Sequence, residues 1–181
     1  ITLHTANNYP VTARTIEWAA TPLHAMYVIV PRGQQQRSFL PDGTLAGKTF
    51  TAKYGYVGIS VENDAFVMEG INEAGLGVGL FYFPQYGEYQ PYDPQKKEQS
   101  VSDMQLAAWI LSSFASINEL QAAMPQIRVI ATDPRASTVH WRITESSGRQ
   151  VVLEIVNQHV HFYENPLGVL TNSPDFGWHL T

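Results

Sequence analysis

Short runs of β-branched and aromatic residues, separated by turn-forming residues, constrain the fold of this chain more than any other feature. Most adjacent runs are joined by Asn, Gly, Asp or Ser, which favours antiparallel hairpins. The clearest turns are NEAG at Asn72–Gly75 and ESSGRQ at Glu145–Gln150. The predicted strands are Ile1–Thr5, Val11–Trp18, Ala25–Val30, Tyr54–Val61, Phe66–Ile71, Leu76–Phe83, Ile127–Ala131, Thr138–Thr144, Gln150–Val156, Val160–Tyr163 and Gly168–Thr171.

One helical stretch lies in the middle of the chain. Ser102 or Asp103 is a candidate N-cap, and apolar residues at helical spacing run from Leu106 to Phe114. A second helix follows and ends at Pro125, which cannot continue it. Strands, then a helical pair, then strands predict an α+β fold with helices layered on antiparallel sheet.

Size and composition narrow the class of protein. The 181 residues, 44% of them hydrophobic, suit one globular domain with a real core. A net charge of −5 without a clustered basic face argues against a nucleic-acid partner. No apolar run approaches the roughly 20 residues of a membrane helix, and Ile1 begins in strand-like sequence rather than in a signal peptide. The absence of cysteine excludes disulfides and thiolate metal sites within these residues.

Two long polar segments, Arg32–Lys48 and Pro84–Ser100, are predicted to be irregular loops. Loops of this length inside a compact domain often form lids over a site. Tyrosines in the second segment would suit the mouth of a pocket for an amphipathic ligand. Ordinary surface packing is the alternative, and the sequence does not choose between them.

Common catalytic and metal-binding motifs are weak here. His159 and His161 share one strand face, but no third ligand stands at a recognisable spacing, so we interpret them as exposed histidines and expect no metal. The glycine-rich run Gly75–Gly79 lacks the lysine of a phosphate loop, and no helix follows it. We interpret its glycines as positions of close backbone approach inside a strand. No nucleophile elbow selects a Ser-His-Asp triad.

Three polar residues stand among apolar neighbours in the sequence, and none of the motifs above gives them a role: Arg14, Glu17 and Asn172. Arg14 and Glu17 taken alone would fit a partly buried structural ion pair, which is weak evidence for stabilisation. Asn172 taken alone would fit a turn before Ser173 and Pro174. Together, the three at strand ends indicate a functional site.

Four stretches, in order, carry a resemblance to a known family. They are VTARTIEWA at Val11–Ala19, KYGYVGIS at Lys53–Ser60, EGINEAGLGVGLFYFP at Glu69–Pro84 and LTNSPDFGWHL at Leu170–Leu180. The chain resembles the choloylglycine hydrolases, which include conjugated bile acid hydrolases and penicillin V acylases, and it is more similar to the Gram-negative acylase branch. Because order and spacing also match, the similarity spans essentially the whole chain.

The resemblance implies an αββα sandwich of stacked antiparallel sheets between helical layers, the N-terminal-nucleophile hydrolase fold. It also implies an N-terminal cysteine that attacks an amide carbonyl and forms a thioester, with its own α-amino group as base. Aligned on Arg14, that cysteine lies about three residues before Ile1. Arg14 matches the arginine beside the nucleophile, where it favours thiolate. Glu17 stands where the family usually has an aspartate that holds the nucleophile's amine.

Further site residues follow from the same resemblance. Asn172 matches the asparagine whose amide helps to form the oxyanion hole, and Tyr82 matches the residue whose backbone N–H is the second donor. Trp18 and Tyr82 also match aromatic positions that flank the acyl pocket. Met26 is a further candidate for the pocket, with core packing as its alternative.

The resemblance also bears on the whole protein. We expect residues 1–181 to be part of a single domain that lacks the nucleophile-bearing N-terminus and the C-terminal half. The expected substrate is a small acyl amide: penicillin V, an N-acyl homoserine lactone or a conjugated bile acid. No cofactor, nucleic acid or membrane partner is implied, a homotetramer is expected, and an exported, periplasmic location is favoured over the cytoplasm.

Other functions stay open at this point. A non-catalytic relative that binds acyl ligands would account for a cysteine-free chain. Thr2 as an N-terminal nucleophile would lie about four residues from the expected place relative to Arg14, and a purely structural or interaction domain is a third possibility. In the enzyme interpretation, strand alternation sends Arg14 and Glu17 to opposite faces. A bulge or bend between them is therefore predicted if both are to reach the nucleophile.

Overall fold

The computed structural model describes residues 1–7, 9–17 and 22–181. Its first strands are β1 (Thr2–His4), β2 (Pro10–Thr12), β3 (Ala25–Val30), β4 (Gln35–Phe39), β5 (Leu45–Thr51), β6 (Tyr56–Val61), β7 (Asn63–Asn72) and β8 (Gly77–Tyr82). After them come β9 (Ser100–Ser102), α1 (Leu106–Ser113), α2 (Ile117–Ala123), β10 (Arg128–Ile130), β11 (Val139–Thr144), β12 (Gln150–Val156), β13 (His159–Glu164) and α3 (Phe176–His179). Short 3₁₀ helices span Pro94–Gln99, Asp103–Gln105 and Met124–Gln126.

A seven-stranded antiparallel sheet, in the order β13-β12-β11-β8-β7-β6-β3, forms the centre of the molecule. The turn after Asn72 joins β7 to β8, and the turn from Glu145 joins β11 to β12, so both predicted hairpins are confirmed. Helices α1 and α2 stand between the two groups of strands in the chain. The α+β class is therefore confirmed.

Helices α1 and α2 cover one face of this sheet. Their buried residues form a single apolar cluster with the side chains of the sheet on that face. Every residue from Leu106 to Ser112 is buried, which explains why α1 is apolar around most of its circumference. Ser102 takes the N-cap position of the 3₁₀ helix Asp103–Gln105, which leads directly into α1 at Leu106. Ser102 makes no capping bond, and Asp103 instead accepts hydrogen bonds from the backbone N–H and hydroxyl of Thr132.

The opposite face of the sheet, called the site face below, carries a different set of side chains. One row crosses all seven strands on this face: Tyr27, Ile59, Glu69, Gly79, Arg142, Val152 and Tyr163. A small apolar cluster of Phe81, Val152, Leu170 and Phe176 lies on the same side. The β1–β2 hairpin meets the site face, where the Thr2 N–H donates to the carbonyl of Gly168 at 2.7 Å.

The segment Arg32–Lys48 is not an irregular loop, and that prediction is wrong. It contains β4 and most of β5, which pair as a two-stranded antiparallel hairpin. Asp42 closes the turn by accepting bonds from the backbone and hydroxyl of Thr44, and Gly43 takes a positive φ of 81°. The side chains of β4 are mostly polar, so the strand lacks the apolar alternation from which strands are predicted.

The observed bounds of several other strands differ from the predicted ones. Strand β2 ends at Thr12 instead of continuing to Trp18, and Gly168–Thr171 does not form a strand. Within Pro84–Ser100, the first residues lack regular structure and the 3₁₀ helix Pro94–Gln99 follows. Strand β9 then pairs with β10 in parallel, which local turn signals do not predict because the partners are distant in sequence.

Among the described residues, no helix is long and apolar enough to cross a membrane.

Candidate active site

Glu69 and Arg142 meet across a glycine on the site face. The register of β7, β8 and β11 places Glu69, Gly79 and Arg142 side by side in one row. A Cβ atom at Gly79 would overlap Glu69 Oε2 and would lie 2.9 Å from Arg142 Nη2. Because Gly79 has no side chain, Arg142 Nη2 reaches Glu69 Oε1 at 2.5 Å. Gly79 therefore makes room for two side chains, and not for the close backbone approach predicted from sequence.

Arg14 completes this charged cluster from the β1–β2 hairpin. Its Nη1 lies 3.8 Å from Glu69 Oε2 and donates a short hydrogen bond to the carbonyl of Leu80. Its guanidinium carbon lies 4.1 Å from the centre of the Phe81 ring, a cation–π contact. The side chain is only 12% exposed, so Arg14 is fixed in place by contacts on three sides.

Burial and charge oppose each other in this cluster. Burial lowers the pKa of Arg14 and of Arg142, and the Glu69 carboxylate acts in the opposite direction on both. Burial likewise raises the pKa of Glu69, against the lowering effect of Arg142 and then of Arg14. Two guanidinium groups share one carboxylate, so the cluster keeps a net positive charge even when Glu69 is ionised.

Glu17 lies apart from this cluster. Arg14 is half-buried and Glu17 is exposed, and burial alternates along the residues between them. Residues 13–17 belong to no helix or strand, and burial alternates through them without a break, so the bulge or bend predicted to bring Glu17 to the side of Arg14 is not present. Within the described part of the chain, the carboxylate paired with Arg14 is Glu69, so the Arg14–Glu17 ion pair considered from sequence is wrong.

Tyr82 and Asn172 are brought together at the end of β8. The Tyr82 N–H donates to Asn172 Oδ1 at 3.1 Å, and the Ser173 N–H donates to the Tyr82 carbonyl at 3.2 Å. Leu80, which accepts the bond from Arg14, lies two positions before Tyr82 on the same strand, a rise of about 7 Å. The predicted arginine and the predicted oxyanion groups therefore share one edge of the site face.

The remaining residues predicted to line the acyl pocket are Trp18, Met26 and the ring of Tyr82. Trp18 lies outside the described residues. Met26 on β3 is 40% exposed, and strand alternation places it on the helix-covered face with Val28 and Val30, away from the charged cluster. The Tyr82 hydroxyl donates to Ser137 Oγ at 2.9 Å or accepts from it, which ties the aromatic ring to the segment before β11.

A cleft of about 380 Å³ opens near the β4–β5 turn, separate from the charged cluster. It is lined by Phe39, Leu40, Pro41, Gly43, Asn63, Phe66, Thr132, Asp133 and Arg135. The segment Arg32–Lys48 contributes four of these residues, so its turn does line a concave surface although the segment is a hairpin.

Histidines 159 and 161 lie on β13, where His159 is exposed and His161 half-buried. Across residues 1–7, 9–17 and 22–181, no group of three or more His, Asp or Glu side chains is arranged to hold a metal ion.

Sequence reasoning missed Glu69 and Arg142. Each stands inside a predicted strand, and each faces Gly79. The signal that could have found them is a glycine in one strand with a charged residue opposite it on each of the two neighbouring strands. It becomes visible only once the pairing of β7, β8 and β11 is known.

Comparison with known proteins decides the family. A model of the linear amide C–N hydrolases, choloylglycine hydrolase family, matches residues 1–181. This chain belongs to the choloylglycine hydrolase family. Its curated relatives include a bile salt hydrolase/transferase from Clostridium perfringens, 31% identical over 74% of this chain and 42% of the relative. A penicillin V acylase from Pectobacterium atrosepticum is 27% identical over 96% of this chain and 48% of the relative.

Solved structures of choloylglycine hydrolases share the fold. A variant of conjugated bile acid hydrolase from Clostridium perfringens superposes with a TM-score of 0.79 at 26% identity, covering 99% of this chain and 54% of that one. Penicillin V acylase from Agrobacterium tumefaciens gives 0.80 at 24% identity, covering 99% and 53%. The chain thus spans about half the length of the relatives it matches.

Proposed function

We propose that the full-length protein hydrolyses a linear amide through a cysteine that precedes Ile1. The observation that carries this proposal is the position of Arg14. Its buried guanidinium is held by Glu69 and Phe81 on the face that the β1–β2 hairpin meets, two strand positions from the Tyr82–Asn172 contact.

The register of the hairpin supports the position of the nucleophile. Ile1 and Ala13 exchange two backbone hydrogen bonds of 2.9 Å. If this antiparallel ladder continues upstream, the residue third before Ile1 stands opposite Ile16. It then faces the same side as the buried Thr2, because the alternation has a period of two.

The proposed reaction uses these groups in two steps. A cysteine thiolate, favoured by the guanidinium of Arg14, attacks the amide carbonyl while the free α-amino group holds the thiol proton. The C–N bond breaks, the proton passes to the departing amine, and a thioester remains. Water then attacks the thioester and releases the carboxylic acid and the thiol.

The oxyanion of each step would accept bonds from the Asn172 side-chain amide and the Tyr82 N–H. At present the Tyr82 N–H donates to Asn172 Oδ1, so the amide nitrogen points away from Tyr82. Both groups donate to one substrate oxygen only if the Asn172 side chain turns. Substrate binding is therefore proposed to replace the Tyr82–Asn172 bond.

The substrates proposed are penicillin V, an N-acyl homoserine lactone or a conjugated bile acid. The aromatic positions Trp18 and Tyr82 favour the first two. Relatives named as penicillin V acylase and as bile salt hydrolase/transferase support an acyl amide as the substrate class.

Intact mass and N-terminal sequencing of the native protein, followed by turnover assays on the three amides, test this function. We expect an N-terminal cysteine about three residues before Ile1, and release of an acyl acid from at least one amide. A native terminus at Ile1, or ligand binding without turnover, would instead favour the non-catalytic acyl-binding protein.

Two substitutions test the residue roles in the same assay. Asn172→Ala should lower kcat by about 100-fold while changing KM little, because the lost donor acts on the transition state. Glu17→Gln should impair placement of the amine and alter the pH–rate profile. An unchanged rate and profile would remove Glu17 from the mechanism.

We further propose, from the family resemblance, a homotetramer exported to the periplasm. Light scattering of the purified full-length protein measures its mass in solution, and fractionation of the native cells locates it. A monomeric mass would contradict the tetramer, and recovery of the protein in the cytoplasmic fraction would contradict export.

A further inference from the structure

His140 and Glu154 form a buried pair on the site face that the proposed chemistry does not use. The register that pairs Trp141 with Leu153 places them opposite each other on β11 and β12. Both side chains are fully buried, and Nδ1 lies 3.0 Å from Oε1. Burying such a pair costs free energy that apolar side chains of similar volume would not. The pair therefore points to a role beyond packing.

Each member of the pair also holds the backbone of one nearby segment. His140 Nε2 lies 3.0 Å from the carbonyl oxygen of Thr171. A carbonyl only accepts hydrogen bonds, so Nε2 carries a proton. Glu154 Oε1 accepts the N–H of Phe176 at 2.9 Å. The pair thus binds both ends of the segment Thr171–Phe176.

This segment contains Asn172, and Ser173 also binds it to the end of β8 through its N–H to the Tyr82 carbonyl and its Oγ to the Pro84 carbonyl. Thr171–Asp175 forms neither helix nor strand, and the Asn172 side chain is exposed. The bonds of Ser173 fix the residue after Asn172 and leave the residue before it to other contacts. The bond from His140 fixes the residue immediately before Asn172.

Aromatic rings fix the imidazole in turn. The His140 ring stacks on Phe83 with centroids 4.3 Å apart and planes 9° apart, and it meets the edge of Phe81 at 6.2 Å. Phe81 also lies beneath the guanidinium of Arg14. His140 is therefore packed into the same structure that holds the arginine.

We propose that His140 and Glu154 are positioning residues that hold the backbone of Asn172 beside Tyr82, which keeps the Asn172 side-chain amide within reach of the oxyanion. The proposal rests on the proposed function in one respect: the effect on catalysis follows from the oxyanion role of Asn172. The effect on the position of Asn172 follows from the hydrogen bonds alone.

The test uses the full-length protein and three variants. The double variant His140→Phe/Glu154→Leu keeps a ring on Phe83 and buries no unpaired charge, but it loses both bonds to the segment. Glu154→Gln still accepts from Phe176 and still bonds to the imidazole, so it is the conservative rescue. Ile155→Val, a mild change of a buried side chain on β12, is the packing control. Hydrogen exchange of the Tyr82 amide reports the Asn172 contact, and kcat and KM report the reaction.

In the double variant we expect exchange of the Tyr82 amide to quicken by about tenfold or more, because its acceptor is no longer held. We expect kcat to fall by about tenfold or more with KM within about twofold, the signature of a group that acts in the transition state. Glu154→Gln and Ile155→Val should stay close to the parent protein in both measurements.

Unchanged exchange at Tyr82 in the double variant would overturn the proposal, whether or not the protein hydrolyses amides. Faster exchange with an unchanged kcat in an active enzyme would support the positioning of Asn172 and remove Asn172 from the oxyanion hole. Equal effects in Ile155→Val would show that packing alone holds the segment, which also overturns the proposal.

Discussion

Gly79 lies between Glu69 and Arg142, and its missing side chain is what allows their ion pair to form. The two charged side chains stand two strands apart in one row of the sheet, a separation that a side chain between them would fill. Arg14 then adds a second guanidinium beside the same carboxylate. The positions of both arginines beside Glu69 therefore depend on the absence of a Cβ atom at Gly79.

Gly79→Ala is expected to displace the ion pair. The added methyl group meets Glu69 Oε2 and Arg142 Nη2, so we expect a loss of about 1–3 kcal/mol in the free energy of unfolding. Because Glu69 also contacts Arg14, hydrolytic activity of the full-length protein should fall as well. Urea denaturation and initial rates measure the two effects.

Gly77→Ala is the matched control for this substitution. It adds a methyl group to the same strand on the same face, where it meets the hydroxyl of Thr144 at 2.6 Å. It should destabilise the protein while sparing activity. Equal losses of activity in both variants would show that the charged cluster has no special role.

Polar side chains also join elements that are distant in sequence. Tyr56 on β6 donates to Gln36 Oε1 on β4 at 3.3 Å, which ties the small hairpin to the large sheet. The Asn72 amide at the end of β7 donates to the carbonyls of Leu111 and Phe114, which ties the NEAG turn to the end of α1. These contacts cross between elements that local sequence patterns treat separately.

Tyr56→Phe should change the stability of the protein in alkali. Burial raises the pKa of Tyr56 to about 12 from 10.0, so the folded state keeps a proton that the unfolded state loses. The stabilisation is complete below pH 10 and is lost as the pH rises to 12, a total of about 3 kcal/mol. Tyr56→Phe should remove this part of the alkaline decline and cost about 1 kcal/mol at pH 8 through the lost hydrogen bond.

Urea denaturation between pH 8 and pH 12 measures this difference. Tyr27→Phe is the control, because the Tyr27 side chain is 89% exposed and its loss should leave the pH dependence as it is. A Tyr56→Phe curve parallel to that of the parent protein would contradict the expected effect of burial.

At the scale of the whole molecule, part of the site face is apolar and uncovered. Ile29, Val57 and Ile71 are directly opposite one another on β3, β6 and β7. They are 79%, 49% and 52% exposed. With the neighbouring Tyr27 they form a contiguous surface at one edge of the sheet, called here the β3 patch. Contiguous apolar surfaces of this kind commonly mark a contact with other protein.

The β3 patch is expected to be covered in the full-length protein. Hydroxyl-radical labelling of Tyr27 and Ile29 should be at least about fivefold weaker there than in residues 1–181 expressed alone, because burial excludes the radical. Leu45, on the β4–β5 hairpin and 53% exposed, should label similarly in both proteins. Equal labelling of the β3 patch in the two would show that the surface stays open.

The sequence alone determined the hairpins at Asn72–Gly75 and Glu145–Gln150, the helical pair and the α+β class, because period-two and helical patterns and turn residues are local signals. It also marked Arg14, Tyr82 and Asn172, whose roles remain predictions from the family resemblance. Only the tertiary structure decided that Glu69, and not Glu17, lies beside Arg14. It also decided that His140 and Glu154 hold the segment of Asn172. Both facts depend on strand register, which places residues far apart in sequence in one row and which no local pattern specifies.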